Sequence, residues 1–298
     1  MARLGSENMG RPVGWAGPVP MNALWVENVR QHDHDRYLAA LLAPAEARDG
    51  LMALLGFNLE VAKVRELISE PLIGQIRLQW WRDAIDEIYA GKPPRRHDVV
   101  LALAQAIQRH GLTRTHLDAL IDGREFDLAD VPPADCAELE RYAEATSSRL
   151  LFAALEVLDG MSPAAFEAAR HVGIAWALTG LLRAIPFHAA AKRVYLPANL
   201  AASVDLHTGE LFELRPTPQL FAVVGEILDL ARRHLVSARA ERTGIARAAL
   251  PALLPARLAD GYLKRIGRAG GNVFAPLVQA PDGLAVPKLA IALWFGRF

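Results

Sequence analysis

The chain has 298 residues, 52% of them hydrophobic and 22% charged, with 33 basic and 33 acidic side chains in balance. That composition supports a large packed core and excludes a disordered chain, while zero net charge leaves no electrostatic footprint for nucleic acid. Cys136 stands alone, which rules out a disulfide framework and a cysteine-based metal centre and makes a reducing cytoplasm the expected setting.

Residues 1–28 are rich in Gly and Pro and lack the apolar segment of a secretory signal, so a flexible tail is expected, with Met21 a candidate start. No run approaches the roughly 20 apolar residues of a membrane-spanning helix. Residues 29–298 are expected to form one helical domain. A short helix is predicted from Asp35 to Pro44, with His32-Asp33-His34-Asp35 before it as solvated capping residues. Leu51, Leu54, Leu55, Leu59 and Ala62, at three- and four-residue spacing, predict an amphipathic helix over 46–68. Ser69-Glu70-Pro71 reads as an N-cap and first-turn proline, opening a helix over 72–89 that ends at Gly91. Helices over 98–110 and 113–123 follow, the second capped by Thr113.

After Val131-Pro132-Pro133 the pattern predicts one long helix over 135–158. A restart at Ser162-Pro163 opens another, which is expected to stop at Ile185 before Pro186. A turn at Thr208-Gly209, a helix over 217–241 and two or three shorter helices over 255–298 complete the chain. No strand alternation and no internal repeat is visible, and connections are short. The fold class is therefore all-α, with a single helical domain.

Three segments could carry chemistry. Helix-borne carboxylates three or four residues apart share a face and suit Mg²⁺ held against a phosphate. Asp118-Ala-Leu-Ile-Asp122 meets that spacing, and so does Asp83 with Asp86 and Glu87; a solvated face explains the same spacing. In Ile76-Arg77-Leu-Gln-Trp80-Trp81-Arg82 the adjacent tryptophans cannot face the same way, so one packs inward and the other against a neighbouring element. Arg77 and Arg82 either clamp an anion or pair with acids such as Asp83 and Asp86. Arg183, near a helix C-terminus, suits the macrodipole. Lys192, Arg193 and Tyr195 together suit a phosphate oxygen.

Several segments, in order, resemble the squalene/phytoene synthase family: Tyr37-Leu-Ala-Ala-Leu-Leu-Ala-Pro-Ala-Glu46, Leu55-Gly-Phe-Asn58 and Arg77-Leu-Gln-Trp-Trp-Arg82. They continue with Leu120-Ile-Asp-Gly-Arg-Glu-Phe-Asp-Leu128, Tyr142-Ala-Glu-Ala-Thr146 and Arg193-Val-Tyr-Leu-Pro197. The resemblance covers residues 35–200 and is loose beyond them. It implies an isoprenoid-synthase fold, a helical bundle around a central pocket. Active members of the family join two prenyl diphosphates, and two aspartate-rich motifs hold Mg²⁺ against the leaving diphosphate.

By the same alignment the chain departs from both motifs. Ala62 and Lys63 stand at the paired aspartates of the first, with Glu66 the remaining acid. In the second, Arg183 is kept, while Ala184, Phe187 and His188 stand where metal-binding acids belong. Asp127 and Asp122 match a family segment beside the pocket.

Phe57-Asn-Leu-Glu-Val-Ala-Lys-Val-Arg65 and Leu182-Arg-Ala-Ile-Pro-Phe-His188 resemble a subgroup that contains a mitochondrial respiratory complex I assembly factor. That implies a non-catalytic cytoplasmic protein with no metal or cofactor. Its expected partners are complex I subunits or assembly intermediates, an isoprenoid or lipid ligand, and the membrane surface peripherally. The alternative is an active Mg²⁺-dependent prenyl transferase with its metal near Asp118 and Asp122.

Overall fold

The computed structural model describes residues 23–68 and 70–298. The expected tail lies outside them up to residue 22, and so does the expected Ser69 cap. The described residues contain helices and no strand.

Order begins earlier than the Gly/Pro-rich composition suggested. Helix α1 (Leu24–His32) buries Trp25, Val26 and Val29, a helical spacing, against α3 (Ala45–Ala62). Between them lies α2 (His34–Leu41). Of the expected solvated caps, His32 and His34 are exposed and Asp33 stands at the N-cap of α2, but Asp33 pairs with Arg36 and Asp35 accepts the Tyr262 hydroxyl at 2.7 Å. Burial pushes the Asp35 carboxyl above its ordinary range.

Eleven residues of α3 are buried, and it packs on α5 (Asp98–His110), with α4 (Pro71–Tyr89) between them in the chain. A 3₁₀ turn over Val64–Leu67 takes the chain off the end of α3. On α4, Trp81 is buried edge-on to Phe57, and Trp80 packs sideways under Arg95 and beside His97. Next come α6 (Arg114–Asp122) and the single turn α7 (Glu125–Leu128). Thr113 precedes α6 without capping it through its side chain; its N–H donates to Glu156 instead.

The expected long helix over 135–158 is interrupted. It consists of α8 (Cys136–Ala143), a π-helical turn over Glu144–Ser148, and α9 (Arg149–Val157). Asp135 caps α8 by accepting the Glu138 N–H. The π turn lies against α10 (Pro163–Ala190), the central helix. Gly173 of α10 makes this approach possible, since a Cβ there would lie 2.4 Å from the Ser148 Cα.

Helix α10 runs through Pro186 rather than stopping before it. Proline removes one intrahelical donor, yet the end closes through Ala191 N–H to the Phe187 carbonyl and Arg193 N–H to the His188 carbonyl. By length and hydropathy α10 passes the test for a membrane-spanning helix, contrary to the reading of the sequence. Half of its most apolar window is buried in the fold, as befits the core helix of the bundle.

Short helices α11 (Ala198–Ser203) and α12 (Thr208–Phe212) follow, the latter where a turn was expected. Helix α13 (Pro218–Ala240), capped by Thr217, forms the most extensive packing partner of α10. Then α14 (Leu250–Leu253), α15 (Pro255–Arg268), α16 (Pro276–Gln279) and α17 (Ala285–Trp294) close the bundle.

Candidate functional site

The end of α3 and the second half of α10 face each other across a cleft of about 250 Å³. Ala62 lines it from α3, with Arg65 and Glu66 from the following turn. From α10 come Ala177, Gly180, Ala184 and His188, so the two segments aligned with the aspartate motifs meet at this cavity. Their spacing along α10 puts them on one helical face. The remaining wall is built by Arg36, Arg124, Asp127, Tyr142, Thr146, Ser147, Arg193 and Tyr195. The π turn contributes here: it turns Thr146 and Ser147, both buried, toward the cavity-lining set.

Asp127 is the buried centre of the polar wall. Its Oδ1 accepts the hydroxyls of Tyr142 at 2.8 Å and Tyr195 at 2.9 Å, and its Oδ2 accepts Arg124 Nη1 at 3.3 Å. Arg124 also donates to the Tyr142 hydroxyl at 3.0 Å. Burial pushes both phenols well up, with the Asp127 charge adding to it, so they remain neutral donors. The His188 ring lies 4.5 Å from that of Tyr195, and burial pushes its imidazole down to about 4. It is therefore neutral at pH 7.

Four arginines stand around this wall, with side chains only 14% to 17% exposed. Arg36 is bidentate on Asp33, and Arg65 is bidentate on Asp130. Arg193 donates to the Arg65 carbonyl at 3.4 Å. Mg²⁺ requires a near-octahedral set of oxygen ligands. The cleft offers Glu66 and an Asp127 already engaged by three donors, among guanidinium groups that repel a cation. These residues do not fit the ion. Among the described residues no group of three or more His, Cys, Asp or Glu gathers in metal-binding geometry.

Of the residues proposed from the sequence as pocket or anion-binding candidates, Asp127, Arg193 and Tyr195 line the cleft, whereas Arg77, Trp81, Arg82, Asp118, Asp122, Arg183 and Lys192 do not. Asp118 and Asp122 are on α6, where Asp118 binds Arg114 at 3.0 Å and Asp122 binds Arg82 at 2.8 Å. The spacing read as a metal site is thus occupied by ion pairs. Arg82 pairs with Asp122 and Glu125 rather than with Asp83 or Asp86, and borders a separate surface groove of about 550 Å³. Arg77 is exposed and Trp81 belongs to the core. Arg183 stacks 3.7 Å from the Tyr262 ring, and Lys192 is exposed at the end of α10 with a left-handed φ of 56°. Sequence reasoning did not single out Arg36, Arg65, Arg124, Tyr142 or Ser147 as site residues. Arg124 and Tyr142 sit inside the segments that carried the family resemblance, which was the available signal.

The comparisons agree with this architecture. The family model for squalene/phytoene synthase matches residues 29–284. NADH dehydrogenase (ubiquinone) complex I, assembly factor 6 from Bos taurus is 35% identical over 273 residues, 92% of this chain and 82% of the bovine protein. The protein of the same name from Homo sapiens is 34% identical over 298 residues, 99% of this chain and 89% of its own length. Presqualene diphosphate synthase from Rhodopseudomonas palustris is 27% identical over 203 residues, 68% of this chain and 72% of that enzyme. A solved dehydrosqualene synthase superposes with a TM-score of 0.79 at 18% identity, covering 91% of this chain and 94% of that one. The squalene synthase of Alicyclobacillus acidocaldarius gives 0.73 at 15% identity, over 84% and 94%. These structures share the isoprenoid-synthase fold, and the chain belongs to the squalene/phytoene synthase family.

Proposed function

We propose that this protein assists the assembly of respiratory complex I, the NADH:quinone oxidoreductase, and does not carry out Mg²⁺-dependent prenyl transfer. Two lines support the reading. The relatives named as complex I assembly factors align over nearly the whole chain. The observation that carries the chemical half is the cleft itself: the facing segments present Ala62, Ala177, Gly180 and Ala184, and the charged wall is dominated by guanidinium groups. A diphosphate leaving group needs metal-held positive charge that moves with it into the transition state. The lone Cys136 suits a reducing cytoplasm, where the protein would meet assembly intermediates of the complex at the inner face of the membrane.

The test is deletion of the gene with parallel measurement of assembled complex I and of squalene and carotenoid pools. Loss of complex I, restored by the intact chain, is the expected outcome. A fall confined to the isoprenoids would reverse the assignment in favour of the second reading, prenyl diphosphate transfer, whose support is the similarity to presqualene diphosphate synthase. Purified protein should release no pyrophosphate from farnesyl diphosphate with Mg²⁺.

A further inference from the structure

The outer side of α17 is apolar where it meets solvent. Its exposed positions are Val286, Pro287, Ala290, Ile291 and Trp294, and Phe295 continues them past the last turn. Pro287, Ala290, Ile291 and Trp294 recur at three- and four-residue spacing and so share one side of the helix. Trp294 is 74% exposed, Phe295 63% and Ile291 58%. The opposite side is already occupied: Ala285, Leu289 and Ala292 form a buried cluster with Ala39 of α2 and with Leu258 and Tyr262 of α15. A helix on a protein surface ordinarily turns polar residues outward, as α15 does with Arg257, Lys264 and Arg268. A contiguous apolar face of this kind marks a contact with a protein or a membrane.

The charge around it has one sign. Residues 255–298 carry six basic side chains and two acidic ones, in a chain that balances overall. Both acids are already paired: Asp260 with Arg239 at 2.6 Å, and the buried Asp282 carboxylate with Lys288 at 2.6 Å and Arg265 at 3.5 Å. Lys264, Arg268 and Arg297 stay exposed, and α15, which carries the first two, packs directly on α17. No acidic residue occurs between positions 283 and 298.

Length and area separate the candidate occupants. The ten residues of α17 extend about 15 Å, half of the roughly 30 Å hydrocarbon core, so the helix lies along a bilayer and does not cross one. About 15 Å long and about 10 Å across, its outer side offers less than the roughly 800 Å² that each partner contributes to a stable protein interface. A bilayer sets no such minimum. It takes up a few apolar side chains, favours tryptophan at headgroup level and, when anionic, attracts the flanking cations.

We propose that α17 docks the protein on an anionic lipid bilayer, lying in its surface with Ile291, Trp294 and Phe295 among the acyl chains and Lys264, Arg268 and Arg297 at the headgroups. This deepens the placement at the inner face of the membrane proposed above, and rests on that reading for the presence of the membrane alone.

The test is co-sedimentation of the full chain with vesicles of equal parts phosphatidylcholine and phosphatidylglycerol, against vesicles of phosphatidylcholine only. The chain is expected to sediment with the anionic vesicles, and to bind about tenfold or more weakly to the neutral ones and in high salt. Ile291→Gln combined with Trp294→Gln should weaken binding by about tenfold or more. Both positions are exposed, so the urea midpoint should be kept. Trp294→Phe supplies a second readout. It should sediment as the intact chain does, yet lose the tryptophan quenching that brominated acyl chains cause, because Trp294 is the indole in contact with them.

No sedimentation, equal binding to neutral and anionic vesicles, binding untouched by the double variant, or quenching that survives Trp294→Phe would each overturn the proposal. A dimer that the double variant dissociates would overturn it too, by assigning the face to a second copy of the chain. Loss of complex I on gene deletion together with no vesicle binding overturns the docking face alone. Vesicle binding with complex I intact in the deletion strain overturns the proposed function alone, so the two failures are separable.

Discussion

His188→Gln tests the electrostatics of the cleft through the pH dependence of folding. Burial pushes the His188 imidazole down from 6.5 to about 4, so in the folded protein it stays neutral where an unfolded chain would bind a proton. The unfolded state therefore binds more protons between those two values, and acid favours unfolding. The penalty is absent well above pH 6.5, grows as the pH falls, and saturates near pH 4. At 1.36 kcal/mol per pKa unit the full effect is about 3 kcal/mol, of which about 2 kcal/mol is reached at pH 5. Urea unfolding of both proteins at pH 7.5, 6.5, 5.5 and 5 measures it. At pH 7.5 the variant should be the less stable, by about 1 kcal/mol, through lost packing on Tyr195. By pH 5 it should be the more stable. His110, His116 and His171 are also lowered by burial and weaken the fold in the same pH range, but they are present in both proteins and cancel in the difference. A stability difference that does not change with pH would refute the reasoning.

Gly173→Ala forces a methyl carbon to 2.4 Å from the Ser148 backbone, so α10 must separate from the π turn. It should cost about 3 kcal/mol, read as a lower urea midpoint; a loss under 1 kcal/mol would mean the close approach is not structural. Asp122→Asn breaks an exposed pair with Arg82 and should change stability by no more than about 1 kcal/mol. Mg²⁺ binding by the intact chain that Asp122→Asn abolishes would instead revive the metal reading of α6.

The helices were legible because long amphipathic segments announce themselves by spacing. The stretch 98–110 was read to the residue, and α13 to within one residue at each end. What failed was local chemistry that tertiary packing overrides. Pro186 looked like a stop, yet the bundle supports α10 through it. The π turn at Glu144–Ser148 has no signature in residue spacing; it exists because Gly173 lets α10 press on Ser148. The same limit governed the site. Asp118 and Asp122 satisfied a spacing rule along one helix, but the rule says nothing of Arg114 and Arg82, which take up those carboxylates. Arg36, Arg65 and Arg124 come from α2, the turn after α3 and the residue before α7. Their convergence follows from the fold and cannot be counted along the chain.

That convergence also bears on how far the cleft is from an aspartate-rich synthase site. Ala62→Asp and Ala184→Asp together would return one carboxylate to each facing wall, since both positions line the cavity. The new acids would enter a space bordered by Arg36, Arg65, Arg124 and Arg193. A guanidinium already in place, largely desolvated, binds a carboxylate through two charge-assisted hydrogen bonds. Mg²⁺ must instead shed tightly held water and find near-octahedral ligands. The nearby arginines win that competition, so calorimetry of the double variant should show no Mg²⁺ binding in the millimolar range. Mg²⁺-dependent capture of a prenyl diphosphate by this variant would show instead that two carboxylates suffice, and that the arginine wall is no obstacle to the metal. On the expected result, the cleft is kept from holding a metal by the guanidiniums that border it as much as by the small residues at Ala62 and Ala184.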